Sequence, residues 1–331
     1  MASSRRTGSN ENIQTFGDGT RDFTNISTWE SAVDIDTVTA MQSEVLECYD
    51  DSAPYDQTAL YNAGTHNSTY PIIMRAATGH ENNGSRTAGV RFHTTAASAE
   101  FADVRDDSVW FYDLGIQCAF NTSSTEENFK QANQDLRLVG IHIYNSSNSG
   151  TGSNDGIAMN NSTTNLRMIN CIVVDSDRDG LRTGSSSTGH IIYNCTFADN
   201  AEDGLDHNNT TASTATVRNC LCDNNTGQDF GSTGGYTGSG NASSDTTAPG
   251  TSPRTSQTFT FVSATDYHLA AGDTGARTFG VDLSADATFD FDDDIDKDTR
   301  TVSWDIGADE DSTAAPAGQP VGAMMRLGVG Q

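Results

Sequence analysis

The strongest constraint on the fold is a repeat of 24 to 25 residues in the middle of the chain. An Asn-Cys pair recurs at positions 170–171, 194–195 and 219–220, and an Asp-Gly pair recurs at 155–156, 179–180 and 203–204. A strand–helix–strand unit needs roughly 30 residues or more, so this period is too short to contain one. The repeat instead predicts a coil of short strands joined by turns, with successive parallel coils stacked about 4.8 Å apart.

In such a stack, equivalent residues of successive coils lie above one another. We therefore predict an inward ladder of amides that bond the neighbours above and below, formed by Asn170, Asn194 and Asn219. Cys171, Cys195 and Cys220 are expected beside this ladder as buried free thiols, with a disulfide or a metal site as less favoured alternatives. Further upstream, Gly140 aligns with the Asn position, and Gly115 lies another 25 residues back.

The rest of the chain is divided by composition and local pattern. Ser27 and Glu30 form a capping box, and apolar residues at nearly helical spacing follow. This pattern predicts one helix over 27–48, either continuous or broken near 34–36, that covers the N-terminal end of the solenoid. The predicted organisation is a flexible arm (1–26), the capping helix and lead-in (27–59), the solenoid (60–235), a Gly/Ser/Thr linker or loop (236–257), a β-rich closing segment (258–311) and a C-terminal arm (312–331).

Two sets of motifs carry a resemblance to a known group. The coils at 170–230 resemble the pectate-lyase-like superfamily of right-handed parallel β-helices. The segments DYHLAAGDTGA (266–276), DFDDDIDKDTR (290–300) and DIGADE (305–310) are similar to the closing segment of a bacterial and phage group of these proteins, which ends in D-I-G-A-x-E. In that pattern Asp293 or Asp294 stands where a Gly is usual. The resemblance implies an all-β, right-handed parallel β-helix, a fold that hosts both enzymes and structural rods.

Two acidic runs are candidate calcium sites. Asp175, Asp177 and Asp179 begin like a calcium loop, but position twelve of that loop is Ser186 rather than Glu. The second run places carboxylates at alternate positions, at Asp290, Asp292, Asp294 and Asp296. In each case the alternative is an acidic turn without a cation, and no other cofactor is expected.

Catalysis would require carboxylates that share one face of adjacent coils. Asp179, Asp203, Asp206 and His207 are the weak candidates. The Asp-Gly turn explains the first two without any chemistry, and the resemblance adds no support because the residue set typical of polygalacturonases is missing. Arg178 and Arg182 would neutralise a lyase intermediate, and they fit equally well as partners of neighbouring Asp residues.

The net negative charge of the chain limits the classes of molecule that it can bind. The chain of 331 residues has 45 acidic and 18 basic residues, a formal charge of −27, which argues against binding to nucleic acid or to an anionic membrane. The first residues contain no apolar stretch, so we expect no secretory signal. The arm at 312–331 carries apolar residues suited to docking, namely Met324, Met325, Leu327 and Val329.

These features favour a phage structural protein on the virion surface, either a capsid decoration or a tail fibre or spike. Its expected partners are capsid or tail proteins of the same particle, with a homotrimer as one possible assembly. The alternatives are an extracellular polysaccharide-degrading enzyme and an adhesin that binds a host surface glycan.

Overall fold

The structure is a computed structural model. It describes residues 10–33, 36–61, 64–94, 100–118, 129–131, 135–144, 154–159, 165–207, 214–231, 235–289, 291–301 and 303–311. Within these residues the chain forms a parallel β-solenoid with three long sheets of nine, eight and seven strands, which we call sheets A, B and C. The predicted all-β parallel β-helix is confirmed.

Each coil passes through sheet A, then sheet B, then sheet C. Sheet A contains β1 (Glu11–Phe16), β2 (Ser43–Cys48), β5 (Ile72–Ala76), β8 (Val109–Tyr112), β11 (Leu136–Val139), β14 (Arg167–Ile169), β17 (His190–Tyr193), β20 (Ala215–Arg218) and β23 (Tyr236–Ser239). Sheet B contains β3 (Tyr55–Asp56), β6 (Arg91–Thr94), β9 (Gly115–Cys118), β12 (His142–Tyr144), β15 (Ile172–Val174), β18 (Thr196–Ala198), β21 (Leu221–Asp223) and β24 (Ala242–Ser243). Sheet C contains β4 (Ala59–Tyr61), β7 (Ala102–Val104), β10 (Phe129–Gln131), β13 (Ile157–Met159), β16 (Leu181–Thr183), β19 (Leu205–His207) and β22 (Phe230–Gly231).

The corner between sheets A and B requires a left-handed backbone. Asn170, Asn194 and Asn219 adopt φ of 51°, 50° and 52° there, and Asn tolerates this region better than most residues. Gly140 occupies the same corner (φ 64°), as predicted. One coil earlier the corner residue is Asp113 (φ 63°) rather than the predicted Gly115, because the sheet register pairs Val139 with Tyr112.

The Asp-Gly turn before sheet C depends on a close approach between coils. A Cβ on Gly180 would lie 2.5 Å from the carbonyl oxygen of Gly204, and one on Gly204 would lie 2.6 Å from that of Asp229. Glycine therefore recurs at this position because any side chain would collide with the next coil.

The interior of the solenoid is a continuous apolar core. Cys171, Cys195 and Cys220 are fully buried free thiols in this core, as predicted. Burial raises the pKa of the Cys195 thiol well above its usual value, so this thiol stays protonated and unreactive.

The N-terminal region differs from its prediction. The helix expected over 27–48 is wrong in its second half, where strand β2 pairs with β1 and β5 in sheet A. Two short helices precede β2, α1 (Ile26–Val33) and α2 (Thr37–Ala40). The N-cap contact also differs, since Asn25 Oδ1 accepts the backbone N–H of Thr28 and Ser27 donates to the carbonyl of Thr58. Alternating apolar residues of β2 enter the core, and this tertiary burial overrides the helical spacing.

The closing segment, residues 258–311, packs on the outer faces of sheets A and B. It includes an antiparallel hairpin of β25 (Phe261–Ser263) and β26 (Asp266–Leu269). Its apolar side chains bury the outward residues of both sheets; they are Phe259, Tyr267, Leu269, Leu283, Phe289, Phe291, Ile295, Trp304 and Ile306. The preceding stretch, predicted as a linker, contributes β23 and β24 to the solenoid.

Among the described residues, no helix has the length and apolar character needed to cross a membrane.

Candidate functional site

The Asn ladder lies beneath the closing segment, and its amides do not point into the core. Asn170 Nδ2 donates to the carbonyl of Asp293 at 3.0 Å, and Asn219 exchanges two hydrogen bonds of 2.8 Å with the backbone of Val281. The Asn194 amide contacts Asn219 Nδ2 at 3.2 Å. The predicted inward orientation is therefore wrong, because the left-handed corner directs these side chains outward, where the closing segment supplies their partners.

A buried arginine joins the ladder to the closing segment. The Arg300 side chain has no solvent exposure, and its guanidinium lies 3.4 Å from Glu310 Oε2 and 3.3 Å from Asn170 Oδ1. It also donates to the carbonyls of Gly307 and Ala308 at 3.1 and 2.9 Å. Sequence reasoning missed this role, although an Arg is part of the closing-segment pattern.

The left-handed turn of the acidic run lies at Lys297, with φ of 71°. Asp293 and Asp294, which stand where Gly is usual in the sequence pattern, do not adopt a positive φ. Lys297 Nζ reaches Asp113 Oδ1 at 2.5 Å. A Cβ on Gly140 would lie 2.5 Å from Asp113 Oδ1 and 2.8 Å from this ammonium, so a side chain there would have to displace the ion pair.

The turn before sheet C carries a buried ion-pair cluster. Asp155 has no exposed surface, and it pairs with both Arg178 and Arg182. Arg178 Nε and Arg182 Nε lie 2.6 and 2.7 Å from its carboxylate oxygens. The two arginines therefore pair with a neighbouring Asp, which is the structural role predicted for them and not the catalytic one.

The Asp179 and Asp203 carboxylates hold adjacent coils together. Asp179 Oδ1 accepts the backbone N–H of Asp203 at 3.0 Å, and Asp203 Oδ1 accepts that of Gln228 at 2.6 Å. Burial and then repulsion from Asp155 raise the pKa of Asp179 to about 7. This carboxyl therefore loses its proton at a higher pH than an exposed aspartate.

Asp206 and His207 lie on opposite faces of β19. Asp206 is outward and in register with Arg182, and burial, followed by repulsion from Asp203, raises its pKa. His207 is fully buried, with Nδ1 at 2.8 Å from Thr183 Oγ1 and its ring 5.1 Å from that of Tyr236. Because successive side chains of a strand alternate between faces, the structure does not bring His207 to the candidate carboxylates.

The residues of the first calcium candidate face different partners. Asp175 pairs with Arg86 at 2.5 Å, Asp177 accepts a hydrogen bond from Asn154 at 3.1 Å, and Asp179 lies in the coil contact described above.

In the second candidate, Asp294 caps its own loop. It accepts the backbone N–H groups of Asp296, Asp298 and Glu310 at 2.9 to 3.0 Å. Asp292 is partly buried, and Asp290 lies outside the described residues. Calcium binding stays a prediction at both places.

A polar cleft of about 320 Å³ opens beside sheet A, where the coils return from sheet C. Arg137 and Arg167 line it in register with each other, together with Asp135, Asn165 and His66. The Arg137 guanidinium stacks over Trp110, 3.7 Å from the ring centroid, and pairs with Asp135 at 3.2 Å. Sequence analysis did not find this cleft.

A further amide stack was also missed. Asn200 Oδ1 accepts the N–H of Ser176, and Asn225 Oδ1 accepts that of Asn200, at 3.0 and 3.1 Å. The 25-residue step between the two Asn residues was the available signal. The predicted docking arm, with Met324, Met325, Leu327 and Val329, lies outside the described residues.

Comparison with known proteins gives little beyond the fold. No protein-family model matches the chain, and no curated protein matches it. The crystal structure of pectate lyase Pel9A is similar, with 14% sequence identity and a TM-score of 0.48 over 93% of this chain and 98% of that chain.

Proposed function

We propose that the chain is a structural protein of a bacteriophage particle, displayed on its surface as a capsid decoration or as part of a tail fibre or spike. The observation that supports this proposal is that the stacked acidic residues make structural contacts within and between coils. Asp155 pairs with two arginines, and Asp179 and Asp203 each accept a backbone N–H from the next coil. Residues that an enzyme would use for chemistry here hold a rigid rod together.

The closing segment adds to this picture. The resemblance of its motifs to a bacterial and phage group supports the proposal, and its apolar side chains cover the outer faces of sheets A and B. The charge of −27 would keep displayed copies soluble and mutually repulsive. The proposed partners are capsid or tail proteins of the same virion, with a homotrimer as one assembly and a host glycan as a further ligand.

Mass spectrometry of purified virions tests the proposal, with the copy number measured against the major capsid protein. Hundreds of copies per particle would identify a capsid decoration protein, and a few to a few tens would identify a tail component. Absence of the chain from virions would overturn the structural role.

A glycan-directed function is the second candidate, and two observations favour it. Asp179 has a pKa of about 7 and lies beside Arg178, and a carboxyl that keeps its proton near neutral pH can act as a general acid. The polar cleft beside sheet A offers amide, carboxylate and guanidinium groups that suit sugar hydroxyls.

Incubation with a panel of polysaccharides distinguishes the two forms of this candidate. Released reducing ends or unsaturated sugars that disappear in Asp179→Asn would establish an enzyme. The matched control is Asp223→Asn, since burial followed by repulsion from Asp229 also raises the pKa of Asp223 to about 7, at a position on sheet B. Equal loss in both variants would point to a structural effect, and retention of a glycan without product would indicate an adhesin.

A further inference from the structure

The closing segment brings together one histidine and two aspartates from three separate stretches of sequence. His268 lies on β26, Asp296 in the acidic run and Asp309 in the final DIGADE motif. Among the described residues they form the one group of three potential metal ligands whose donor atoms all lie within 4.8 Å of one another. Asp309 is 5% exposed, so this group is partly enclosed by the protein.

The histidine is oriented as in a metal site. Its Nδ1 atom lies 2.5 Å from Asp266 Oδ1, which holds the ring in place. Its Nε2 atom is buried and faces Asp296 Oδ1 at 3.4 Å, within ion-pair distance. Metal-binding histidines commonly present one ring nitrogen to the ion while the other is held by a carboxylate.

The second carboxylate is also fixed. Asp309 Oδ2 accepts the backbone N–H of Leu269 at 2.7 Å, which ties the final motif to β26 and leaves the other oxygen of that carboxylate for a ligand. Asp296 is more open, with 38% of its side chain exposed, so water can reach the group from that side.

We propose that His268 Nε2, Asp296 and Asp309 bind one divalent transition metal ion such as zinc. One imidazole and two carboxylates suit zinc or manganese better than calcium, which prefers oxygen ligands alone. Two carboxylate charges balance the dication, and water completes a tetrahedral shell. The ion would cross-link β26, the acidic run and the final motif, and so hold these three parts of the closing segment together.

The test is calorimetric titration of zinc chloride into the full-length chain, prepared without a polyhistidine tag and dialysed against a chelator. The wild type should bind one zinc ion at this site with a Kd of micromolar or below, and its Tm should rise with zinc. His268→Gln should lose this binding, and Asp266→Asn, which keeps all three ligands, should weaken it about 10- to 100-fold.

The matched control is His80→Gln. His80 Nδ1 lies 2.5 Å from Asp50 Oδ1, which gives the same His–Asp pair outside the three-ligand group. This variant should bind zinc like the wild type. The proposal is overturned if the wild type shows no stoichiometric zinc binding below a Kd of about 100 µM, or if Asp266→Asn and His268→Gln bind as tightly as the control. Circular dichroism verifies that each variant is folded. If His268→Gln does not fold, Asp266→Asn still tests the proposal.

Discussion

Replacement of Arg300 by methionine should be among the most destabilising single changes in the closing segment. The side chain is fully buried, and its guanidinium donates to the carbonyls of Gly307 and Ala308 as well as pairing with Glu310. Methionine fills a similar volume but donates no hydrogen bond. Arg300 also donates to the carbonyls of Asp293 and Asp305, so the variant leaves a buried carboxylate and four carbonyls without this donor.

The magnitude follows from the cost of breaking a buried ion pair on one side, which is about 3–5 kcal/mol. Glu310 retains the N–H groups of Thr301 and Asp305 as donors, so we expect a loss near the lower end, about 3 kcal/mol, in the free energy of unfolding. Arg105→Met is the matched control. Arg105 pairs with Asp103 at 2.5 Å, but its side chain is 54% exposed, and exposed pairs contribute at most about 1 kcal/mol.

Urea unfolding followed by tryptophan fluorescence measures this difference, since the Trp304 ring lies 5.3 Å from the guanidinium carbon of Arg300. Limited proteolysis should also cleave the closing segment faster in Arg300→Met than in the wild type. If Arg300→Met unfolds within about 1 kcal/mol of Arg105→Met, the reasoning is refuted, and Arg300 does not fasten the closing segment.

Three further outcomes are expected. Because the folded-state pKa of Asp179 is raised from 3.8 to about 7, the folded protein loses stability as pH rises between these values. Asp179→Asn should therefore be more stable than the wild type at pH 8. Thermal unfolding should show this difference in stability vanish towards pH 4, and a difference that stays constant with pH would contradict the prediction. Gly307→Ala should lower the free energy of unfolding in urea by at least about 1 kcal/mol, because the residue adopts φ of 108° and a Cβ would lie 2.9 Å from Thr196 Oγ1. The control is Gly272→Ala, where a Cβ would meet no atom within 4 Å. Equal losses of stability in the two variants would refute the steric argument. Asn219→Ala should destabilise the protein more than Asn219→Gly, since both variants lose the amide hydrogen bonds but only alanine strains the left-handed corner at φ 52°. Chemical denaturation measures the free energy of unfolding of both variants. A more stable alanine variant would exclude corner strain as the cause.

The repeat alone was enough to predict the coils. Its period excluded a helix in each unit, and the stacked Asn-Cys and Asp-Gly pairs marked the two recurring turns. The alternation of side chains along a strand also predicted the burial of Cys171, Cys195 and Cys220. The prediction was wrong by two residues at Gly115, and it was wrong for the second half of the helix expected over 27–48, where β2 lies. Register and strand burial depend on neighbouring coils and not on local pattern.

The candidate site was less predictable. The sequence suggested the Asp stack and offered a structural and a catalytic explanation for it, and the hydrogen bonds of Asp179 and Asp203 agree with the structural one. It also placed Asp206 and His207 together, although the strand directs them to opposite faces. The cleft at Arg137 and Arg167 left no sequence signal, since its lining comes from several coils.

The sequence by itself determined that the chain folds as a stack of parallel coils, because a repeat of 24 to 25 residues brings equivalent residues to equivalent positions and is too short for a strand–helix–strand unit. Only the tertiary structure decided what surrounds the coils. The closing segment folds back over sheets A and B, turns the Asn ladder outward, buries Arg300 and gathers His268, Asp296 and Asp309 at one point. Such contacts join residues up to 130 positions apart, and no local propensity or periodicity specifies them.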